Sequence, residues 1–184
     1  VYHDLYFCDQ DWKQPHRAAY MLALAKPKPH MAPVIDWEYE DQLKDVLDWA
    51  EEASQHTENV LIVPKVQRGI SQLPRSINGK PIVLAFSIPT KFAGTKLSPN
   101  QFAGWPVHLL GGSPHLQMRL YNLWFRDICD VVSVDGNMSN KMATNFCKYW
   151  QHGKWIALND GNIDVPYRAF ERSCANIMEA WNDL

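Results

Sequence analysis

The chain reads as an α/β protein with parallel strands, a compact or incomplete (β/α) barrel, and three observations say so. Five short runs, Ala32–Ile35, Val60–Pro64, Ile82–Phe86, Val107–Leu110 and Val131–Val134, are apolar almost throughout. Strands of that kind are buried on both faces, as in parallel sheets covered by helices. Each run closes on a polar residue or a glycine turn (Asp36, Lys65, Ser87, Gly111-Gly112-Ser113 and Asp135), and helix-like sequence follows most of them. The β-α rhythm fits the 184 residues as a single domain, 1–184, whereas a full (β/α)₈ barrel takes about 250 residues. An open doubly wound sheet is the alternative, although the G-x-G-x-x-G fingerprint of its dinucleotide-binding forms is absent.

Taken in order, a first strand is expected over Asp4 to Cys8, ending in the acidic pair Asp9 and Asp11. A short helix from about His16 to Ala25 stops at Lys26-Pro27-Lys28-Pro29, where proline twice forbids its continuation. The second strand reaches Asp36. The clearest amphipathic helix follows over Glu40 to Gln55, with Leu43, Val46, Leu47 and Ala50 as its inner stripe. The third strand closes at Pro64-Lys65, and a loop with one helical turn spans Gly69 to Lys80. The fourth runs into Pro89-Thr90-Lys91-Phe92-Ala93-Gly94-Thr95, too rich in turn residues for a helix and therefore an expected active-site loop. After strand five, Ser113 is placed to cap a helix reaching about Phe125, with Pro114 in its first turn. Strand six ends at Asp135, and Ser139 is placed to cap the next helix. A seventh strand is expected over Trp155 to Leu158. The last helix, about Pro166 to Trp181, lines up Phe170, Cys174, Ile177 and Trp181 on one side.

Composition narrows the function. Hydrophobic content of 46% and eight Trp exclude a disordered chain, and a net charge of −2 gives no bulk positive field for nucleic acid. Lys65, Arg68, Arg75, Lys80, Lys91 and Lys96 still gather in one stretch. The four cysteines never form a C-x-x-C pair, so nothing supports a structural zinc. No apolar run approaches the roughly 20 residues of a membrane span. No cofactor or metal is implied, a reducing, cytoplasmic setting is expected, and the start at Val1 rather than Met suggests residues upstream.

In parallel α/β folds ligands bind outside the carboxyl ends of the strands, so the polar strand tips outline one candidate site. Asp135, followed by Gly136 and Asn137, is the first candidate for a catalytic carboxylate; an Asx-type turn is the plain alternative. Asp36 is the second candidate, with a helix-cap role as its alternative. Candidate substrate contacts are Lys65, Ser87, Thr90, His108, Gly111, Gly112, Ser113 and Asn137. His108 lies inside an apolar strand and is either a ligand contact or a satisfied core histidine. Gly111-Gly112-Ser113 precedes a helix and offers backbone N–H groups to a phosphate or carbonyl. Trp37, Trp105, Phe92 and Phe102 lie near the strand ends, where one could stack on a base or sugar.

Val107-His108-Leu109-Leu110-Gly111-Gly112-Ser113-Pro114 and Val132-Ser133-Val134-Asp135 resemble the end of the tRNA-guanine transglycosylase barrel and its DNA-modifying relatives. These enzymes exchange guanine for a 7-deazaguanine. The resemblance implies that Asp135 takes the place of the nucleophilic aspartate, and Val34-Ile35-Asp36 resembles the strand whose aspartate reads the base edge. The chain is about half the family's length, lacks its zinc ligands and departs from its pattern after Asp135. The whole chain also resembles small phage and actinobacterial proteins that carry the same His-Leu-Leu-Gly-Gly-Ser-Pro and Asp-Gly-Asn blocks. The expected activity is therefore glycosyl transfer or base exchange on a purine nucleoside unit, free or in nucleic acid, with no membrane partner. Two rivals stand beside it. One is a phosphosugar lyase, isomerase or hydrolase using Lys65 and Gly112 to hold phosphate. The other is a non-catalytic domain that binds a nucleotide or a protein.

Overall fold

The computed structural model describes residues 6–11, 13–90, 94–159, 161 and 163–184. Five strands form its parallel sheet: β1 (Met31–Pro33), β2 (Asn59–Ile62), β4 (Lys80–Ser87), β5 (Pro106–Leu110) and β6 (Asp130–Val134), hydrogen-bonded in that order. Phe7 bridges in parallel to Met31 and is what is seen of the expected first strand, whose start, Asp4 and Leu5, lies outside the described residues. Strand order follows chain order without reversal. A doubly wound sheet reverses its order at a switch point, so that alternative is excluded and the winding is that of a barrel.

Side chains on successive strand residues point to opposite faces, and in β1, β2, β4 and β5 both faces are buried. The edge strand β6, expected to be buried too, has no fully buried residue, because among the described residues nothing pairs beyond it, and Val132 is 41% exposed. Ala32, Val60, Ile62, Ile82, Leu84, Phe86, Val107 and Leu109 pack outward in one cluster with α1 (Arg17–Ala25), α2 (Leu43–Ala53) and α3 (Pro114–Leu120). The alternate residues Met31, Leu61, Val63, Val83 and Ala85 pack inward with Phe7 and Leu110. This double burial is why the runs are apolar throughout. The inner face is strongly curled. The Phe7 ring stacks on His108 of β5, with centroids 5.4 Å apart, and Ser133 Oγ of β6 reaches Met31 Sδ of β1 at 3.8 Å. Among the described residues no strand pairing joins β6 back to Phe7, so the barrel is incomplete and open along β6.

Several elements differ from expectation. The amphipathic helix is preceded by a 3₁₀ turn at Glu40–Gln42, where the Gln42 side chain accepts from the Tyr39 N–H. A two-residue strand, β3 (Ser76–Ile77), pairs antiparallel with β4 through Asn78-Gly79, an ordinary hairpin signal. The expected seventh strand is not part of the parallel sheet: β7 (Lys148–Gln151) and β8 (Lys154–Ala157) form a separate antiparallel hairpin, because His152-Gly153 gives a tight turn with both residues at positive φ. Helix α3 after β5 continues as a wider turn, Tyr121–Phe125, and so reaches the expected Phe125. Ser113 makes no cap hydrogen bond to the helix it precedes; its hydroxyl lies against His115 instead. Ser139 sits inside α4 (Met138–Phe146), whose N-cap is Asn137. The last helix, α5, spans Val165–Asn182.

Candidate functional site: an acidic cleft at the strand tips

The carboxyl ends of the strands enclose a cleft of about 400 Å³. Its wall includes Asp36, Lys65, Ser87, Thr90, Gly111, Gly112, Asp135 and Asn137, so eight of the ten expected site residues come together. The two that do not are His108 and Ser113. His108 is 1% exposed and sits beneath the cleft, and Ser113 turns toward His115. The aromatics expected to stack on a ligand are core instead: Trp37, Phe102 and Trp105 are buried, with the Arg75 guanidinium 3.8 Å from the Trp105 ring. Lys91, Phe92 and Ala93 of the expected active-site loop lie outside the described residues.

Asp135 is fixed from three sides. Its N–H donates to Leu109 O, and its Oδ1 accepts from the Gly111 N–H at 2.7 Å. His108 Nε2 lies 3.4 Å from the same oxygen, close enough for ionic contact but without a hydrogen bond. The other imidazole nitrogen, Nδ1, is 2.8 Å from Ser133 Oγ. Asp135 Oδ2 takes no hydrogen bond from the described residues, and the side chain remains 34% exposed. The carboxylate is thus held by one oxygen and presented by the other.

The turn that carries it is clamped by Gln117. The Gln117 amide nitrogen donates to Gly111 O at 2.8 Å and to Asp135 O. Glycine at 136 keeps this turn closely packed, since a Cβ there would stand only 3.0 Å from Gly112 O. Gly111 and Gly112 both take positive φ, which a side chain would resist. The Gly111 N–H is spent on Asp135 and α3 is only seven residues long, so the glycine turn positions a carboxylate rather than offering a phosphate cradle.

Asp36 faces Lys65. Trp37 N–H bonds Val63 O and Lys65 N–H bonds Trp37 O, which sets the two tips side by side. Lys65 Nζ lies 2.5 Å from Asp36 Oδ2 and 3.0 Å from Glu38 Oε1. Partial burial pulls the Lys65 ammonium down, but the hydrogen bonds and charges of Asp36 and Glu38 outweigh it and hold it above the ordinary lysine value.

Two polar residues of the cleft wall, Asp9 and Gln10, lie outside the expected set. Asp9 is an exposed residue whose carboxyl belongs to the cleft wall. Crowding by protein, then the charges of Asp135 and Asp36, raise its carboxyl above the ordinary range, against an opposing hydrogen bond from the Gln10 N–H. Gln10 donates through Nε2 to Val34 O, and its buried Oε1 has no partner. The Tyr20 hydroxyl reaches the carbonyls of Cys8 and Pro33 at 2.9 and 2.7 Å and anchors this segment beside β1. Asp9 carried a signal, being the polar end of the first expected strand. Gln117 carried none, since it reads as an ordinary helix polar residue. Among the described residues no group of three His, Cys, Asp or Glu side chains is arranged to hold a metal.

The fold and site together define an α/β protein with an open, barrel-wound parallel sheet and a carboxylate-rich cleft at its strand tips. Residues 2–182 match the model of a family of unknown function, DUF6610, and the chain belongs to that family. No curated protein and no solved structure matches it. No helix among the described residues is long and apolar enough to cross a membrane.

Proposed function

We propose that the chain is a glycosyl-transfer enzyme that exchanges the base of a purine nucleoside unit, free or within nucleic acid, with Asp135 as nucleophile. The observation that carries this reading is the setting of Asp135. One oxygen is fixed by the Gly111 N–H beside a buried His108, the other is unpartnered, and two further carboxyls, Asp9 and Asp36, line the same cleft. Asp135 Oδ2 attacks C1′ of the sugar. The C1′–N bond breaks, and its electron pair leaves with the base. Asp9, which lines the same cleft and whose carboxyl is raised above its ordinary range, is the proton donor to that base. An incoming base then attacks C1′ of the glycosyl ester, frees the Asp135 carboxylate and returns its proton to Asp9, so configuration is retained. Asp36, held by Lys65, binds the edge of the base. The resemblance of the Val107–Pro114 and Val132–Asp135 segments to transglycosylases supports the same assignment.

The phosphosugar reading has less support, since Lys65 is already compensated by two carboxylates and the Gly111 N–H is occupied. A cytoplasmic setting belongs to the same proposal, and the four cysteines are free thiols. The test is incorporation of isotope-labelled guanine into guanosine, a single-stranded DNA oligonucleotide and an RNA stem-loop, in separate arms. Incorporation in at least one arm, lost in Asp135→Asn, is the expected result. Asparagine keeps an Oδ1 acceptor for the Gly111 N–H, so the variant should fold, which circular dichroism checks. No incorporation in any arm, or undiminished incorporation by the variant, overturns the proposal.

A further inference from the structure

A second cavity lies on the far side of the turn that carries Asp135. It measures about 460 Å³, within the range of small-molecule sites. Gly112, Asp135 and Gly136 line both cavities and form the wall between them. Elsewhere its lining is mostly apolar, contributed by Phe170, Ile177, Met178 and Trp181 of α5 together with Val134 and Pro114. Of the polar side chains that break this lining, two are more than nine-tenths buried: Gln117 is 3% and Ser139 is 6% exposed.

Neither side chain has its hydrogen-bonding capacity used up within the protein. The Gln117 amide is oriented without ambiguity, because its nitrogen faces two carbonyl oxygens and only an NH₂ can donate to both. Its Oε1 must then point the other way. That oxygen and Ser139 Oγ make no hydrogen bond with the described residues, and neither is sealed off from the cavity. Both oxygens therefore keep unused acceptor capacity at the cavity wall, where a ligand that displaces water can donate to them.

We propose that this cavity binds a flat, mostly apolar heteroaromatic molecule carrying a ring N–H, which donates to Gln117 Oε1 while its faces pack against Trp181 and Phe170. Amide oxygens only accept, so the ligand must supply the proton. The amide that receives it also clamps the Gly111 and Asp135 carbonyls, so the ligand abuts the turn that sets the candidate nucleophile. The inference stands apart from the proposed activity and is tested by binding alone.

The probe is indole, with N-methylindole as the control that keeps the shape and lacks the donor. Calorimetric titration of the full chain should show one saturable site for indole. N-methylindole should bind at least about tenfold more weakly, the equivalent of one hydrogen bond to a buried acceptor. Cys174 lines the same cavity, so indole should slow its alkylation by iodoacetamide as read by peptide mass spectrometry. Ile177→Trp, which fills the cavity from α5, should abolish binding. Absence of saturable indole binding, equal affinity for N-methylindole, or binding that survives in a folded Ile177→Trp protein would each overturn the proposal. None of these outcomes bears on guanine exchange, so the two proposals fail independently.

Discussion

The two cavities on either side of the Asp135–Gly136 turn have opposite chemistry although they share a wall. The cleft at the strand tips gathers Asp9, Asp36, Lys65 and Asp135 from different elements, and their charges answer one another. The cavity behind the turn is lined largely by one helix, and its two buried polar groups face apolar walls. Strand tips are the one place in a doubly buried sheet where polar side chains reach solvent together, so chemistry collects there. A helix face laid over the same turn provides shape and very little charge.

The largest expected effect separates the cleft from its neighbour. Asp135→Asn should reduce guanine exchange by at least about 10³-fold, as loss of a covalent nucleophile does, while indole affinity in the second cavity stays within twofold or so of the parent, read by calorimetry. Gln117→Leu should damage both cavities at once. It removes two hydrogen bonds to partly buried carbonyls, so chemical denaturation should show a loss of about 1–3 kcal/mol, with exchange and indole binding both weakened.

Lys65→Met should act on the cleft alone. Asp36 and Glu38 lose their shared cation, and stability should fall by about 1–3 kcal/mol, because Lys65 and Asp36 are mostly buried and the carboxylates are left uncompensated. The KM for the exchanged base should rise more than kcat falls, if Asp36 binds the base edge.

The smallest effect concerns pH. Asp9 has a raised carboxyl, so the folded state binds its proton more tightly than the unfolded chain does. Stability from this group is therefore lost as pH rises from the ordinary carboxylate value through the raised one. Asp9→Asn removes that loss. Its Tm should exceed the parent's slightly at pH 7, with the difference shrinking toward pH 4 in a thermal melt series. The same variant should slow exchange, since it lacks the proton donor.

The sheet and most of the cleft were legible in the sequence for a common reason. A run such as Val83-Leu84-Ala85-Phe86-Ser87, buried on both faces, declares its strand and its tip together. The convergence of Asp36, Lys65, Ser87, Gly112 and Asp135 follows from parallel pairing alone. What was not legible depends on tertiary contact. Trp37, Phe102 and Trp105 are near strand ends in sequence, yet the packing of the outer layer takes them into the core. His108 has the same local pattern whether it faces a ligand or Ser133 and Asp135, and only the curl of the sheet decides. Trp155–Leu158 has the composition of a buried strand, but Gly153 turns it back on β7 before it can join the sheet. Gln117 gains its role entirely from the turn that folds against it.

The central claim is that Asp135 forms the covalent bond to the sugar. Acid quenching of the exchange reaction, followed by proteolysis and mass spectrometry, tests it most directly. A glycosyl ester on the peptide carrying Asp135, absent from Asp135→Asn, is the predicted result. An adduct on Asp9 or Asp36, or continued exchange with no adduct at all, would contradict it.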